Sequence, residues 1–182
     1  LDGIPEVKSL FGDILGMEPA NIIVGGNSSL NLMFDYIAGA YAKGVCGHQP
    51  WIHQGAVKYQ CPAPGYDRHF AVTEYFGLEL IPVEMTETGP DMDAVEEAVK
   101  DPAVKGMWCV PLHSNPSGVC YSDAVVDALA SMETAADDFR ILWDNAYGVH
   151  HIYEDVKLKN IIKACEAAQN GWSAWRWKQA WY

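Results

Sequence analysis

The most informative polar residue of the sequence is Asn115, which opens the turn Asn115-Pro116-Ser117-Gly118 directly after the apolar residues 110–112. Pro116 fixes its own φ and biases Asn115 away from the helical conformation, while Gly118 permits a left-handed backbone. In an α/β chain, a turn at the carboxyl end of a strand lies where ligands bind. We therefore expect the Asn115 amide to contact a ligand. The alternative is a polar turn that binds nothing.

A second candidate is Asp144, which ends the apolar stretch 140–143 and is followed three residues later by the phenol of Tyr147. A buried acid at the end of a strand can pair with a cationic ring nitrogen, and such charge-assisted hydrogen bonds are about twice as strong as neutral ones. The alternative is that Asp144 only caps the turn that follows it.

Two more groups of candidates stand before predicted helices. Gly26, Asn27 and Ser28 precede a helix that runs to about Lys43, and the free N–H groups at a helix start can bind a phosphate. The alternative is plain N-capping by Asn27 or Ser28. Neither G-x-x-x-x-G-K-[ST] nor G-x-G-x-x-G occurs, which weakens a nucleotide interpretation. Tyr66 follows a loop rich in proline and can stack on a flat ligand ring, or be a half-buried packing residue.

The elements that must position these residues alternate along the chain. The apolar patterns predict strands at 20–26, 57–61, 80–83, 106–112 and 140–143, with helices at about 4–15, 29–43, 66–76, 91–100 and 123–134. This alternation predicts an α/β fold with a mainly parallel sheet and helices on both faces. We expect one domain over residues 1–168. Residues 169–182 form an atypical tail that contains four of the seven tryptophans.

Composition excludes several classes of partner. Twelve basic against 24 acidic residues give a formal charge of −12, which disfavours nucleic acid and anionic membrane surfaces. The five cysteines include no C-x-x-C pair, so the sequence predicts reduced thiols with neither a disulfide framework nor a metal site. With no leader or membrane span recognisable, the expected compartment is the cytoplasm.

The four motifs together resemble the large domain of fold-type I pyridoxal-phosphate aminotransferases, closest to the branch that includes aspartate aminotransferase. The resemblance covers the chain up to about Ala168. It implies that Gly26, Asn27 and Ser28 bind the cofactor phosphate and that Tyr66 stacks on the pyridine ring. It also implies that Asn115 and Tyr147 bind the ring hydroxyl oxygen, and that Asp144 keeps the ring nitrogen protonated.

The resemblance further implies exchange of an amino group between an amino acid, possibly aspartate, and a 2-oxo acid, in a homodimer. One expected residue is missing: the Schiff-base lysine of this family lies in a serine-rich context that does not occur here, and Lys178 has the wrong setting. We therefore expect an internal piece of a transaminase with no identified catalytic residue. The alternatives are an inactive fragment that binds the cofactor weakly or packs against a partner chain, and a different α/β protein that binds a phosphorylated ligand.

Overall fold

The computed structural model describes residues 2–151, 153, 155–168 and 180–181. Within these residues the chain forms six α-helices and six strands, with short 3₁₀ turns at Pro19–Asn21 and Trp51–His53. The helices are α1 Pro5–Leu15, α2 Ser29–Lys43, α3 Asp67–Tyr75, α4 Met92–Ala98, α5 Asp123–Ser131 and α6 Ile161–Ala168. The strands are β1 Lys58–Ala63, β2 Glu79–Thr86, β3 Gly89–Pro90, β4 Val104–Cys109, β5 Arg140–Asp144 and β6 Ala180–Trp181.

The described strands form one sheet in the order β3-β2-β1-β4-β5-β6. Strand β1 pairs in parallel with both β2 and β4, and β5 pairs in parallel with β4 and β6. The short β3 is antiparallel to β2, because a tight turn at residues 87–88 returns the chain directly. The predicted mainly parallel α/β fold is confirmed.

Helices cover both faces of the sheet. On one face, α4, α5 and α6 pack against sheet residues such as Met107 and Trp143. On the other face, α2 and α3 pack against Tyr59, Trp108 and Leu142. Successive residues of β4 and β5 therefore point to opposite cores, which explains why both strands are buried along their whole length.

Local signals explain where several helices begin. The side chains of Ser28, Asp91 and Ser122 accept hydrogen bonds from backbone N–H groups in the first turns of α2, α4 and α5. Helix α1 instead begins at Pro5, whose fixed φ suits the first helical position. None of the helices among the described residues is long and apolar enough to cross a membrane.

The predicted strand at 20–26 is wrong. A 3₁₀ turn covers its start, and residues 22–26 have no strand partner among the described residues. Only Ile22 of its apolar residues is buried, whereas Ile23 is 74% exposed. A run of apolar residues without a neighbouring edge cannot form ladder hydrogen bonds, so the apolar pattern was not sufficient to make a strand here.

The other predicted elements occur with shifted ends. Strand β4, for example, covers Val104–Cys109 where 106–112 was predicted, and α5 ends at Ser131 before the predicted 134. Residues 169–179, which include most of the tryptophan-rich tail, lie outside the described residues, so the domain boundary at 168 stays a prediction.

Candidate functional site

Three neighbouring strands of the sheet lead to the predicted ligand-binding residues. Tyr66 follows β1, Asn115 follows β4, and Asp144 is the last residue of β5. Because β1, β4 and β5 are adjacent and parallel, their carboxyl ends lie at one edge of the sheet. This edge is where ligands bind in open α/β sheets.

The turn that contains Asn115 is closed by its own backbone. The Gly118 N–H donates to the Ser114 carbonyl oxygen at 2.5 Å, and the Ser114 N–H donates to the Val119 carbonyl oxygen at 2.9 Å. Gly118 has φ of +74°, which favours glycine at this position. Asn115 is exposed, and its side chain forms no hydrogen bond with any other described residue. The amide is therefore free to bind a ligand.

Asp144 is held by a histidine that sequence reasoning did not single out. One carboxylate oxygen of Asp144, Oδ2, lies 3.1 Å from Nε2 of His69 in α3. Both side chains are buried, with 5% and 1% exposed. The second oxygen, Oδ1, is buried and has no hydrogen-bond partner among the described residues. Asp144 thus contacts His69 instead of capping the next turn, and it offers one unpaired oxygen to a donor.

The signal that could have found His69 is its place in α3. It lies in the first turn of the helix that follows β1, which is close to the carboxyl end of that strand. The Tyr66 ring packs against the His69 ring edge-to-face, with 5.1 Å between centroids. Tyr66 is half-buried and stands at the N-cap position of α3 without a side-chain cap hydrogen bond.

The remaining predicted residues are placed by α2 and by the turn after β5. Ser28 is the N-cap of α2, and its Oγ accepts the Asn31 N–H at 3.4 Å, which is the capping role that competes with phosphate binding. Gly26 and Asn27 are exposed just before it. Tyr147 is half-buried, and its hydroxyl forms no hydrogen bond with any other described residue.

The thiols near these elements are poor nucleophiles where they are buried. Burial raises the pKa of Cys61, in β1, to about 12, and has the same effect on the pKa of Cys165 in α6. All five cysteines are free, and Cys46 is the exposed one. Among the described residues there is no group of three or more histidines, cysteines or acids that could hold a metal ion.

A cavity of about 420 Å³ lies beside the turn after β5. Asn145, Ala146 and Gly148, which are neighbours of Asp144 and Tyr147 in the chain, line it together with residues of α1 and of 155–160. Neither Asp144 nor Asn115 is among its lining residues. We predict that the candidate residues converge on one cleft at the carboxyl ends of the strands, and this cavity does not test that prediction.

Comparison with known proteins identifies the family. The sequence model of the family described as "Aspartate amino-transferase" matches residues 1–175. The aspartate aminotransferase of Corynebacterium glutamicum is 50% identical over 172 residues, which are 93% of this chain and 40% of that protein. The chain thus spans about 40% of the length of this curated relative.

Solved structures agree with this assignment. A putative aminotransferase from Corynebacterium diphtheriae superposes with a TM-score of 0.90 at 48% identity, covering 93% of this chain and 42% of that one. The fold also occurs in LysN, an α-aminoadipate aminotransferase from Thermus thermophilus, with a TM-score of 0.69 at 18% identity, covering 92% of this chain and 39% of that one. The chain, with its parallel sheet and the Asn115 and Asp144 motifs at one sheet edge, therefore belongs to the aspartate aminotransferase family.

Proposed function

We propose that this chain is the cofactor-binding part of a pyridoxal-phosphate-dependent aminotransferase. The whole protein would exchange an amino group between an amino acid and a 2-oxo acid. We propose aspartate as the amino donor because the relative from C. glutamicum is named aspartate aminotransferase. We also propose a homodimer in the cytoplasm for the full-length form. The family assignment supports the reaction class, and the residues of the site support the cofactor.

The observation that best supports the cofactor is the unpaired Oδ1 of Asp144. A buried carboxylate oxygen without a donor is costly, and a protonated ring nitrogen would supply that donor with an opposite charge. His69 occupies the other oxygen and so limits rotation of the carboxylate. The buried acceptor at this edge therefore fits the protonated ring nitrogen of pyridoxal phosphate.

The other proposed contacts follow from the chemistry of each group. Gly26, Asn27 and Ser28 would bind the phosphate at the start of α2, where N–H groups and the helix dipole favour an anion. Tyr66 would lie on the ring. Asn115 and Tyr147, whose polar groups are free among the described residues, would bind the ring hydroxyl oxygen.

When bound, pyridoxal phosphate supplies a ring that withdraws the electron pair left on the substrate α-carbon as its proton departs. The part of Asp144 is to keep a proton on the ring nitrogen, which makes the ring a better electron acceptor. The part of His69 is to orient Asp144. The part of Tyr66 and of the Asn115 turn is to fix the plane of the ring.

For this chain by itself, we propose cofactor binding without turnover. No lysine in a serine-rich context occurs in the sequence, and Lys178 lies outside the described residues. The chain would then bind the cofactor through noncovalent contacts alone. The coding DNA around and beyond Ala168 tests this point. If it encodes a serine-rich segment that contains a lysine, we propose that the longer protein turns over substrate.

The test is a titration of the purified chain with pyridoxal phosphate, followed by quenching of tryptophan fluorescence. We expect saturable binding, and a roughly 10- to 150-fold weaker Kd for Asp144→Asn, because a hydrogen bond to a charged group contributes about 1.5–3 kcal/mol. Asp35→Asn, on the exposed surface of α2, is the matched control and should bind like the parent. Equal Kd values for the parent and Asp144→Asn would refute the proposed role of Asp144.

A further inference from the structure

Trp108, the next-to-last residue of β4, forms the surface on which His69 lies. The two rings are nearly parallel, with 4.4 Å between centroids and 7° between planes. Trp108 is 2% exposed and His69 1% exposed, so the stack is shielded from water. A contact of this kind fixes the plane of the imidazole before any ligand binds.

A short chain of hydrogen bonds fixes the indole against α3 as well. The Trp108 Nε1–H donates to Thr73 Oγ1 at 2.9 Å, and the Thr73 hydroxyl donates to the His69 carbonyl oxygen at 3.0 Å. The same tryptophan therefore holds His69 twice, through its ring and through its backbone. Thr73 is fully buried, so water cannot replace either bond.

The indole also packs against Tyr59 of β1. The rings of Tyr59 and Trp108 are 5.4 Å apart between centroids and tilted by 53°. Gly106 leaves the space for Tyr59, because a Cβ at that position would lie 2.3 Å from Tyr59 Cε2. Trp108 is thus buried and contacts aromatic rings from both α3 and β1.

We infer that Trp108 is a positioning residue for Asp144 and acts through His69. Its stack and its bond to Thr73 keep His69 Nε2 on Asp144 Oδ2, which leaves Oδ1 as the oxygen presented to the cofactor. This inference rests on the proposed function for its consequence, but the His69 contact itself exists without cofactor.

The first measurement uses the cofactor-free chain. In the chain with ¹⁵N-labelled histidine rings, NMR detects the proton on His69 Nε2 and measures the rate at which that proton exchanges with water. We expect Trp108→Leu to raise that exchange rate at least about tenfold, and Trp108→Phe, which keeps an aromatic face, to stay within about twofold of the parent. Thr73→Val keeps the volume and removes the bond to the indole, so a smaller rise is expected.

The second measurement compares pyridoxal phosphate with an analogue that has a CH group in place of the ring nitrogen. We expect Trp108→Leu to raise the Kd for pyridoxal phosphate about tenfold and to leave the Kd for the analogue unchanged. A purely structural role of Trp108 would weaken both ligands equally. Circular dichroism and thermal unfolding establish that each variant is folded, and Trp108→Met replaces the leucine variant if that one does not fold.

The outcomes separate the two proposals. The inference would be overturned if the His69 Nε2 proton exchanged at the parent rate in both Trp108→Leu and Thr73→Val. It would also be overturned if Trp108→Leu lost affinity for the two ligands equally, and in either case the proposed function would stand. Failure of the parent to bind pyridoxal phosphate would overturn the proposed function, and the exchange measurement would still decide the role of Trp108.

Discussion

Replacing Asp138 by alanine should remove the contact that holds the amino ends of β4 and β5 together. Asp138 stands just before β5, and its Oδ1 accepts a hydrogen bond from Lys105 Nζ in β4 at 2.7 Å. Its Oδ2 accepts from Trp51 Nε1 and from Gln54 Nε2, each at 3.0 Å. Both charged side chains are buried, so the ion pair is shielded from water.

The expected loss is about 4 kcal/mol in the free energy of unfolding. Removing one partner of a buried ion pair costs roughly 3–5 kcal/mol, because the other charge stays buried without compensation. With a urea m-value of about 2 kcal/mol/M, the unfolding midpoint should fall by about 2 M. This loss is a large fraction of the roughly 5–15 kcal/mol that stabilises a typical protein.

Urea unfolding followed by tryptophan fluorescence measures the effect. Asp13→Ala, on the exposed surface of α1, is the control and should change stability by no more than about 0.5 kcal/mol. The double variant Lys105→Met with Asp138→Leu should recover only part of the loss, since a hydrophobic pair leaves no buried charge but the buried Trp51 Nε1–H loses its acceptor.

The effect should also depend on pH in a defined direction. Burial raises the pKa of Asp138, but the hydrogen bonds from Lys105, Gln54 and Trp51 together outweigh it and hold that pKa below its usual range. A depressed pKa in the folded state means that the stabilisation is present above about pH 4 and is lost as the pH falls through the folded pKa. The gap between parent and Asp138→Ala should therefore be constant near neutrality and shrink below about pH 4. A gap under about 1 kcal/mol at pH 7 would refute this reasoning.

Three further predictions concern the site. Alanine at the counterpart of Asp144 in a full-length relative should abolish turnover and leave the fold intact, and transamination within a few-fold of the parent would contradict the assigned role. Borohydride reduction of this chain with pyridoxal phosphate, followed by peptide mass mapping, should show no stoichiometric label on Lys178, because no serine-rich context positions that amine. Ser28→Ala should lower the free energy of unfolding by about 1 kcal/mol because the N-cap of α2 is lost. The same substitution should weaken binding of pyridoxal phosphate more than binding of pyridoxal, and equal effects on both ligands would exclude a phosphate contact.

The alternation of elements and the positions of the turns were predictable from the sequence, because both depend on local chemistry. Apolar runs indicated β1, β2, β4 and β5, and the residue types of Asn115-Pro116-Ser117-Gly118 were enough to indicate a turn. The parallel order of the sheet follows from strands that alternate with helices. The sequence therefore also showed that the candidate ligand-binding residues follow strands or precede helices.

Only the tertiary structure decided which of these residues meet. His69 and Asp144 are 75 positions apart, and no local pattern pairs a helix histidine with a particular strand-end acid. The same holds for Trp51 and Asp138, which are 87 positions apart. Packing also decided against a strand at 20–26, whose apolar residues look like a strand but have no strand partner in the part of the chain that the structure describes. The orientation of Asp144 was beyond sequence reasoning for the same reason, since it depends on the stack of His69 on Trp108, two side chains that folding alone brings together.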